Sequence, residues 1–181
     1  MTDRPLVSFV LLAYNQERFI REAVEGAFAQ TYAPMEIILS DDSSTDRTFE
    51  IMSEMADKYT GRNLVVLNQN STNLGIGAHV NRALEMATGK LFVFAAGDDI
   101  SLPHRVQRMF DFWQELGRPS GSLYSNVKCI DEHGRPLNGG LNTAVYAKSI
   151  DKLISRRRTA IAGCSHVMHR DVYREFGPLD P

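Results

Sequence analysis

The sequence has little of what secreted, zinc-binding or membrane-spanning proteins need. Its 181 residues include two cysteines, Cys129 and Cys164, with no CxxC spacing and no cysteine–histidine cluster of the zinc type. This usage is typical of reduced thiols in the core of a cytosolic protein. No apolar run approaches the roughly 18 residues of a membrane span, and the first residues lack a signal-peptide pattern. The sequence therefore predicts a cytoplasmic protein without a transmembrane segment.

The chain also lacks an excess of charge of either sign. Its net charge is −2, so no overall positive field favours nucleic acid as a partner. An acidic ligand would need positively charged groups or a cation close to its binding site. A hydrophobic content of 43% with 23% charged residues is ordinary for a globular protein. The length suits one domain, or one domain without a subdomain. We therefore expect residues 1–181 to form one domain.

The familiar phosphate- and calcium-binding loops are missing as well. There is no Walker sequence, and no Gly-x-Gly-x-x-Gly follows the first predicted strand; a lone Gly-x-Gly at 75–77 is a weak signal. The segment from Asp42 to Asp46 imitates a calcium loop. Its sixth position, however, is Arg47 rather than glycine, and its twelfth is Ser53 rather than glutamate. These loops are therefore not the basis of a function.

What the chain does contain is an alternation of apolar strands and amphipathic helices. Continuous apolar runs predict buried strands, and 3.6-residue periodicity predicts the helices between them. Asn15 is a good N-cap for the first helix, and Gly89 is a good C-cap for the third. The predicted strands are 6–13, 35–40, 64–67 and 91–94, and the predicted helices begin after Asn15 and cover about 49–59, 78–88 and 103–116.

The chain after residue 116 predicts a different arrangement. A strand over 122–130 leads into a turn at 131–134 and a hairpin, followed by a helix over 149–158. A strand over 162–169 and a short helix over 170–176, closed by Gly177, come last. The earlier alternation predicts a parallel sheet with right-handed crossovers, and the hairpin predicts added antiparallel strands. The expected fold class is mixed α/β.

Polar residues end three of the predicted strands. Because the carboxyl ends of parallel strands lie at one edge of a sheet, these residues should converge where α/β sheets bind ligands. The small residues at 95–97 would let a ligand approach the backbone. A solvated loop is the ordinary interpretation of any one acid pair, and the convergence favours a site instead. The three ends are Tyr14-Asn15, Asp41-Asp42 and Asp98-Asp99.

The chemistry of these groups suits one ligand class. An aspartate can accept the ring N–H of uracil or guanine, and Tyr14 offers a flat face for stacking. A pair of acids with Mn²⁺ or Mg²⁺ can neutralise a diphosphate leaving group. These observations favour a nucleoside diphosphate bound with a divalent cation.

Four segments together resemble the family 2 glycosyltransferases of GT-A fold. They match in order and spacing, and the resemblance covers essentially the whole chain. It implies a GT-A (Rossmann-like), mixed but mainly parallel sheet flanked by helices, and an inverting transfer of sugar from a nucleotide-diphospho-sugar. The segments are Val7–Asn15 (VSFVLLAYN), Glu36–Thr48 (EIILSDDSSTDRT), Asn73–Gly75 (NLG) and Gly97–Asp99 (GDD).

The resemblance also implies roles for particular residues. Tyr14 would stack on the base, Asp42 would hydrogen-bond it, and Asp98 would reach the ribose or the sugar. Asp99 would hold Mn²⁺ or Mg²⁺ between the two phosphates. For Asn81, a surface amide bonding a neighbouring loop is an equal alternative. The full implied nucleotide-binding set is Ala13, Tyr14, Asn15, Asp42, Asn73, Gly75, Asn81 and Asp98.

Two departures from the family pattern qualify these expectations. Many members carry another aspartate at the position of Ala96, so the metal site is weakened. The general base of the family lies beyond the segment resembling 163–177, so we expect it beyond Pro181 and expect the chain to be truncated. Asp171 fits a helix cap better than a base, and Asp180 lies near a frayed end. The alternative function is therefore a sugar-nucleotide-binding module without transferase activity.

Further expectations concern partners and the remaining polar residues. A UDP-sugar donor is favoured, with guanine and thymine open, and the acceptor would be a glycan or a lipid-linked molecule in cell-surface polysaccharide synthesis. A peripheral position at the inner face of the membrane is open for a longer protein. His166 and His169 fall in a predicted strand and should face opposite sides, which disfavours a shared metal. Arginines 156–158 are expected to end a helix in solvent.

Overall fold

A computed structural model of the chain describes residues 4–137 and 163–180. The strands are β1 (Val7–Ala13), β2 (Met35–Asp41), β3 (Leu64–Gln69), β4 (Leu91–Ala96), β5 (Ser122–Tyr124) and β6 (His166–His169). The helices are α1 (Ile20–Phe28), α2 (Thr48–Asp57), α3 (Ile76–Met86), α4 (Arg105–Glu115) and α5 (Arg170–Phe176).

The six strands form one sheet in the order β3-β2-β1-β4-β6-β5. The first four in that order run parallel to each other. Strand β6 is antiparallel to β4 and to β5. The predicted mixed, mainly parallel sheet is confirmed, and the carboxyl ends of β1, β2 and β4 meet at one edge as expected.

Helices cover both faces of the sheet because its central strands are apolar on both sides. On one face, α1, α2 and α4 pack on side chains such as Phe9, Ile37 and Val93. On the other face, α3 packs on Val10, Ile38 and Phe92, with Met168 and Tyr173 at the border. This layering leaves the carboxyl ends of β1, β2 and β4 uncovered by the helices that pack on the two faces.

Two predicted helix caps are wrong. Helix α1 begins at Ile20, five residues after Asn15, and the Asn15 side chain instead accepts the backbone N–H of Thr45 at 2.8 Å. Helix α3 ends at Met86, and Gly89 has a packing role. A Cβ at Gly89 would lie 2.5 Å from the backbone nitrogen of Ser8, so only glycine fits where the chain enters β4 beside β1.

The predictions after residue 116 are partly confirmed. Strand β5 is much shorter than the predicted 122–130, although a bridge between Ile130 and Pro136 closes a small hairpin around the predicted turn. Helix α5 ends at Phe176 and is capped by Gly177, which has φ of 79°, as predicted. The predicted helix over 149–158, with its three arginines, lies outside the described residues.

The cysteines and the helices bear on the predicted cellular setting. Cys129 and Cys164 are both free, as predicted, but they are half-buried rather than core residues. Among the helices of residues 4–137 and 163–180, none has the length and hydrophobicity needed to cross a bilayer.

Candidate functional site

A cleft of about 690 Å³ opens at the carboxyl edge of the sheet. Its floor comes from the ends of β1 and β4, and its walls come from α3, the turn at 163–165, β6 and α5. Six residues implied by the family resemblance line it together: Ala13, Tyr14, Asp42, Asn73, Gly75 and Asp99. Segments far apart in sequence therefore contribute to one cavity.

Asp42 is buried, with 3% of its surface exposed. Its Oδ1 accepts the side-chain amide of Asn70 at 2.8 Å and the backbone N–H of Leu74 at 2.9 Å. Its Oδ2 accepts the N–H of Gly75 at 3.0 Å. A carboxylate has about four acceptor positions, so one on Oδ2 is left for a ligand.

Asp41 and Asn15 hold the loop that follows β2. Asp41 is fully buried and accepts hydrogen bonds from both the backbone nitrogen and the hydroxyl of Ser44. The Ser44 hydroxyl in turn accepts the backbone N–H of Asn15 at 2.8 Å. Asn15 has φ of 52°, a conformation that asparagine tolerates better than most residues. Asn15 thus links β1 to this loop and does not line the cleft.

Two further predicted residues lie outside the cleft lining. Asp98 is exposed at the turn after β4. Asn81 donates to the carbonyl of Leu179 at 2.8 Å and accepts its N–H at 2.8 Å. The alternative of an amide that bonds a neighbouring segment therefore describes Asn81. The nucleotide-binding roles of Asn15, Asn81 and Asp98 stay predictions.

Gly97 serves packing rather than the approach of a ligand. A Cβ at this position would collide with the side chain of Gln16 and would lie 3.0 Å from the Cβ of Ala13. Of the small residues at 95–97, Ala95 and Ala96 line the cleft and Gly97 does not.

Asp99 is exposed and lies beside Cys164 and Arg105, which the sequence did not predict to be part of a site. The thiol of Cys164 is hydrogen-bonded to Asp99, and burial together with this carboxylate raises the pKa of Cys164 to about 12. The buried guanidinium of Arg105 donates to the carbonyl of Phe94 at 2.8 Å and to the hydroxyl of Ser101 at 3.0 Å. Burial lowers the pKa of Arg105 to about 10, which leaves it charged at neutral pH. The guanidinium of Arg105 therefore places a positive charge close to the Asp99 carboxylate.

His166 and His169 lie on opposite faces of β6, as predicted. His166 lines the cleft, stacks between Phe94 and Tyr124, and is 2.9 Å from the hydroxyl of Ser122 through Nε2. Burial and the nearby Arg105 lower its pKa to about 4. His169 stacks instead on Trp113 in the opposite core. These contacts make both histidines structural.

His79 is a cleft residue that the sequence interpretation missed. It lies one turn into α3, is 3% exposed, and its Nε2 is 2.8 Å from the hydroxyl of Ser40 on β2. Burial lowers its pKa, although the carboxylates of Asp42 and Asp41 oppose this shift. The available signal was its spacing of four residues from Gly75, which puts both on one face of the helix.

A comparison with known families identifies the chain. Residues 8–177 match the glycosyl transferase family 2 domain. The chain belongs to this family. EpsE of Bacillus subtilis, a relative named as a glycosyltransferase, is 37% identical over 115 residues, which cover 64% of this chain and 41% of EpsE. The chain spans about half the length of the curated relatives it matches.

Solved structures of glycosyltransferases share the fold. The structure of residues 1–349 of TarS from S. aureus superposes with a TM-score of 0.74 at 23% identity, covering 97% of this chain and 50% of that fragment, and the same fragment has also been solved with UDP-GlcNAc. The mannosyltransferase PcManGT from Pyrobaculum calidifontis, in complex with GDP-Man and Mn²⁺, has a TM-score of 0.71 at 21% identity, covering 98% of this chain and 48% of that protein. The GT-A fold predicted from the motifs is confirmed.

Proposed function

We propose that this chain is the donor-binding part of an inverting, metal-dependent glycosyltransferase. It would bind a nucleotide-diphospho-sugar with Mn²⁺ or Mg²⁺, and the whole protein would pass the sugar to an acceptor hydroxyl. The observation that carries the proposal is the meeting of Tyr14, Asp42 and Asp99 in one cleft. Family membership and the sugar-nucleotide complexes of the similar structures support it.

The base end of the donor would lie between Tyr14 and Asp42. Tyr14 lines the cleft and the residue is 44% exposed, so a planar base could stack on its ring. The remaining acceptor position on Asp42 Oδ2 can take a ring N–H. Asn73 and Gly75 line the same side of the cleft, in the loop that Asp42 holds. A uracil or guanine ring presents the N–H that this arrangement requires.

The chemistry of Asp99 fits a hard divalent cation. No group of three or more histidine, cysteine, aspartate or glutamate residues that could hold a metal occurs within the described ranges. Mg²⁺ commonly keeps several waters and binds through one or two carboxylates plus substrate phosphates, and Mn²⁺ accepts the same oxygen ligands. Asp99 would be the protein ligand. When bound, the cation supplies positive charge that stabilises a departing diphosphate.

The transfer itself is proposed for the whole protein. The acceptor oxygen would bond to the anomeric carbon from the side opposite the diphosphate, and the bond from that carbon to the diphosphate oxygen would break. The acceptor proton would pass to a carboxylate base that we expect beyond Pro181. Residues 1–116 would then form the donor half and 117–181 the start of the acceptor side, which already supplies Cys164 and His166 to the cleft wall.

We also propose a setting for this activity, which is supported by the family resemblance alone. The acceptor would be a glycan or a lipid-linked molecule in cell-surface polysaccharide synthesis. The enzyme would work in the cytoplasm, or at the inner face of the membrane.

Thermal unfolding with nucleotides tests the donor site. UDP, GDP, dTDP and CDP would each be added with Mn²⁺ or with EDTA. A ligand at about one hundred times its Kd adds roughly 2.7 kcal/mol of stability, which raises the Tm by roughly 5 to 10 °C. We expect such a rise with one nucleotide in Mn²⁺ only. The variant Asp99→Asn should lose this Mn²⁺-dependent rise while its own Tm stays near that of the parent. Equal binding by the variant would refute the metal assignment.

A sugar-nucleotide-binding module without transferase activity is the second candidate for the chain. No carboxylate of the described acceptor-side residues is placed as a free base in the cleft, since Asp171 is engaged by Ser120 and Arg174 outside it. Sugar transfer by the 181-residue chain would exclude this candidate. Metal-dependent binding without transfer would favour it.

A further inference from the structure

One side chain holds both ends of the turn that carries Asp99. The guanidinium of Arg105, at the start of α4, donates to the Phe94 carbonyl near the end of β4 at 2.8 Å and to the Ser101 hydroxyl at 3.0 Å. Phe94 precedes the turn and Ser101 follows it. Between them the backbone N–H of Asp99 donates to the carbonyl of Ala96 at 3.1 Å. Arg105 therefore helps to fix where the Asp99 carboxylate lies relative to the sheet.

The chain on either side of this turn has other anchors as well. The backbone N–H of Gly97 donates to the carbonyl of Leu12 on β1 at 2.9 Å. The side-chain amide of Gln30, just after α1, donates to the carbonyl of Leu102 at 2.9 Å. The path of the chain before and after the turn therefore does not depend on Arg105 alone.

The fold gains little from the charge of Arg105. Within residues 4–137 and 163–180, no carboxylate lies within ion-pair distance of its guanidinium. Its Nε is buried and, among the described side chains, is the one buried nitrogen or oxygen without a hydrogen-bond partner. Burial lowers its pKa to about 10, so the folded chain holds this charge less readily than the unfolded chain does. Because an apolar side chain often replaces a buried charge without loss of stability, stability alone gives no reason for an arginine here.

The charge lies close to the wall of the cleft. Arg105 interacts electrostatically with Asp99 and Cys164, and it contributes to the lowered pKa of His166. These three residues line the cleft, whereas Arg105 does not. A charge held in a partly buried position is screened less than one in solvent, so it can stabilise negative charge on a ligand that it does not touch. The part of the cleft beside Asp99 is where the proposed donor would place its diphosphate.

We infer that Arg105 is a positioning residue for the donor: it holds the turn that carries Asp99, and its unpaired charge favours a diphosphate over ligands with less negative charge. This rests on the proposed donor site and adds to that site a source of positive charge besides the cation. Because Arg105 does not line the cleft, it acts through the turn and through its electrostatic field, without a contact to the ligand.

Calorimetric titrations in Mn²⁺ on matched variants test the inference. The parent chain, Arg105→Met, Arg105→Lys and Arg108→Met would each be titrated with the nucleoside diphosphate that the parent prefers and with the corresponding monophosphate. The urea midpoint of unfolding would be measured for each protein. Methionine keeps an unbranched side chain without charge, and lysine keeps the charge without the planar guanidinium. Arg108 is exposed on the same helix, so Arg108→Met is the control for loss of a charge from α4.

The expected pattern separates a positioning role from support of the fold. Arg105→Met should lose about tenfold in affinity for the diphosphate and about threefold for the monophosphate, because the lost charge acts on fewer negative charges in the latter. Its urea midpoint should stay at or above that of the parent. Arg105→Lys should lose about threefold or less for the diphosphate, since the charge remains while the turn is held less firmly. Arg108→Met should bind both nucleotides as the parent does.

The failures are distinguishable. If no nucleotide binds the folded parent chain, the donor site itself fails and this inference with it. If the parent binds the diphosphate and folded Arg105→Met binds it equally well, only the role of Arg105 is wrong. If Arg105→Met unfolds at lower urea and loses both nucleotides by the same factor, Arg105 only supports the fold and the inference is overturned. Arg105→Gln, which keeps an N–H donor for the Phe94 carbonyl without the charge, takes its place in the titrations if Arg105→Met does not fold.

Discussion

Two aspartate pairs lie at the carboxyl ends of β2 and β4, the two strands that flank β1 in the sheet, and their environments are opposite. Asp41-Asp42 after β2 is buried, with 0% and 3% of the two residues exposed. Asp98-Asp99 after β4 is exposed. The first pair holds loops in place through hydrogen bonds, whereas the second is free to meet a ligand. An identical dipeptide at an equivalent strand end can therefore be either part of the framework or part of the reactive surface.

The neighbouring strands explain the difference. Strand β3 runs alongside β2 up to the pair Asp41 and Gln69, and the chain after it turns back over Asp42. Strand β6 pairs with β4 only as far as Val93, so within residues 4–137 and 163–180 no strand pairs with the end of β4 on that side. Its Phe94 carbonyl is satisfied by Arg105 instead. The open end of the sheet thus forms beside Asp99.

The largest difference between the two aspartate pairs should appear in the free energy of unfolding. Asp41→Ala leaves the backbone nitrogen of Ser44 and the amide of Gln69 without their acceptor inside the protein. We expect a loss of about 3 kcal/mol in the free energy of unfolding, measured by urea denaturation. Asp98→Ala removes an exposed side chain and should change that free energy by less than about 0.5 kcal/mol. Equal losses for the two variants would remove the contrast.

The next difference should appear when the free energy of unfolding is measured as a function of pH. His166 stacks on Phe94 near the open end of β4 and is not part of the region around Asp41-Asp42. Burial and Arg105 hold its folded-state pKa at about 4, below the ordinary value of 6.5. The unfolded chain therefore takes up a proton between these values that the folded chain does not. The resulting stability is complete above about pH 6.5 and is lost as the pH falls toward 4.

Between pH 6.5 and pH 5 this histidine alone should cost roughly 2 kcal/mol. His166→Phe, which keeps the stack on Phe94 and Tyr124, should show a decline smaller by that amount. Urea denaturation at several pH values measures it. A decline of the same size in the variant would mean that other groups cause the acid sensitivity.

The smallest effect should come from Asp42→Asn. Asp42 both holds loops in place through hydrogen bonds and lines the cleft. Asparagine can keep the bonds at Oδ1, but its amide nitrogen would face the N–H of Gly75. We expect a loss of about 1 to 2 kcal/mol in stability together with weaker nucleotide binding. Asp99→Asn, in contrast, should weaken metal-dependent binding alone. Unchanged stability in Asp42→Asn would mean that the hydrogen bonds of Asp42 do not stabilise the fold, and that Asp42 resembles Asp98 and Asp99 rather than Asp41.

The sequence predicted the sheet better than the helix boundaries. Apolar runs in β1, β2 and β4 are long enough to specify buried parallel strands, and their polar ends must then share an edge. The helix caps were wrong because Asn15 and Gly89 are used by distant segments, Thr45 and Ser8 respectively. Local cap preference is weak compared with a buried contact to another strand.

The sequence by itself determined the α/β alternation, the common edge of the polar strand ends and the family. These depend on residue type and spacing, which are properties of short stretches. Only the tertiary structure decided that Asp41 is buried and holds a loop, that Asp99 is exposed, and that His79 lines the cleft. Burial and hydrogen bonding of a loop side chain depend on which distant segment covers it, and the segment that covers Asp42 begins about 30 residues further along the chain.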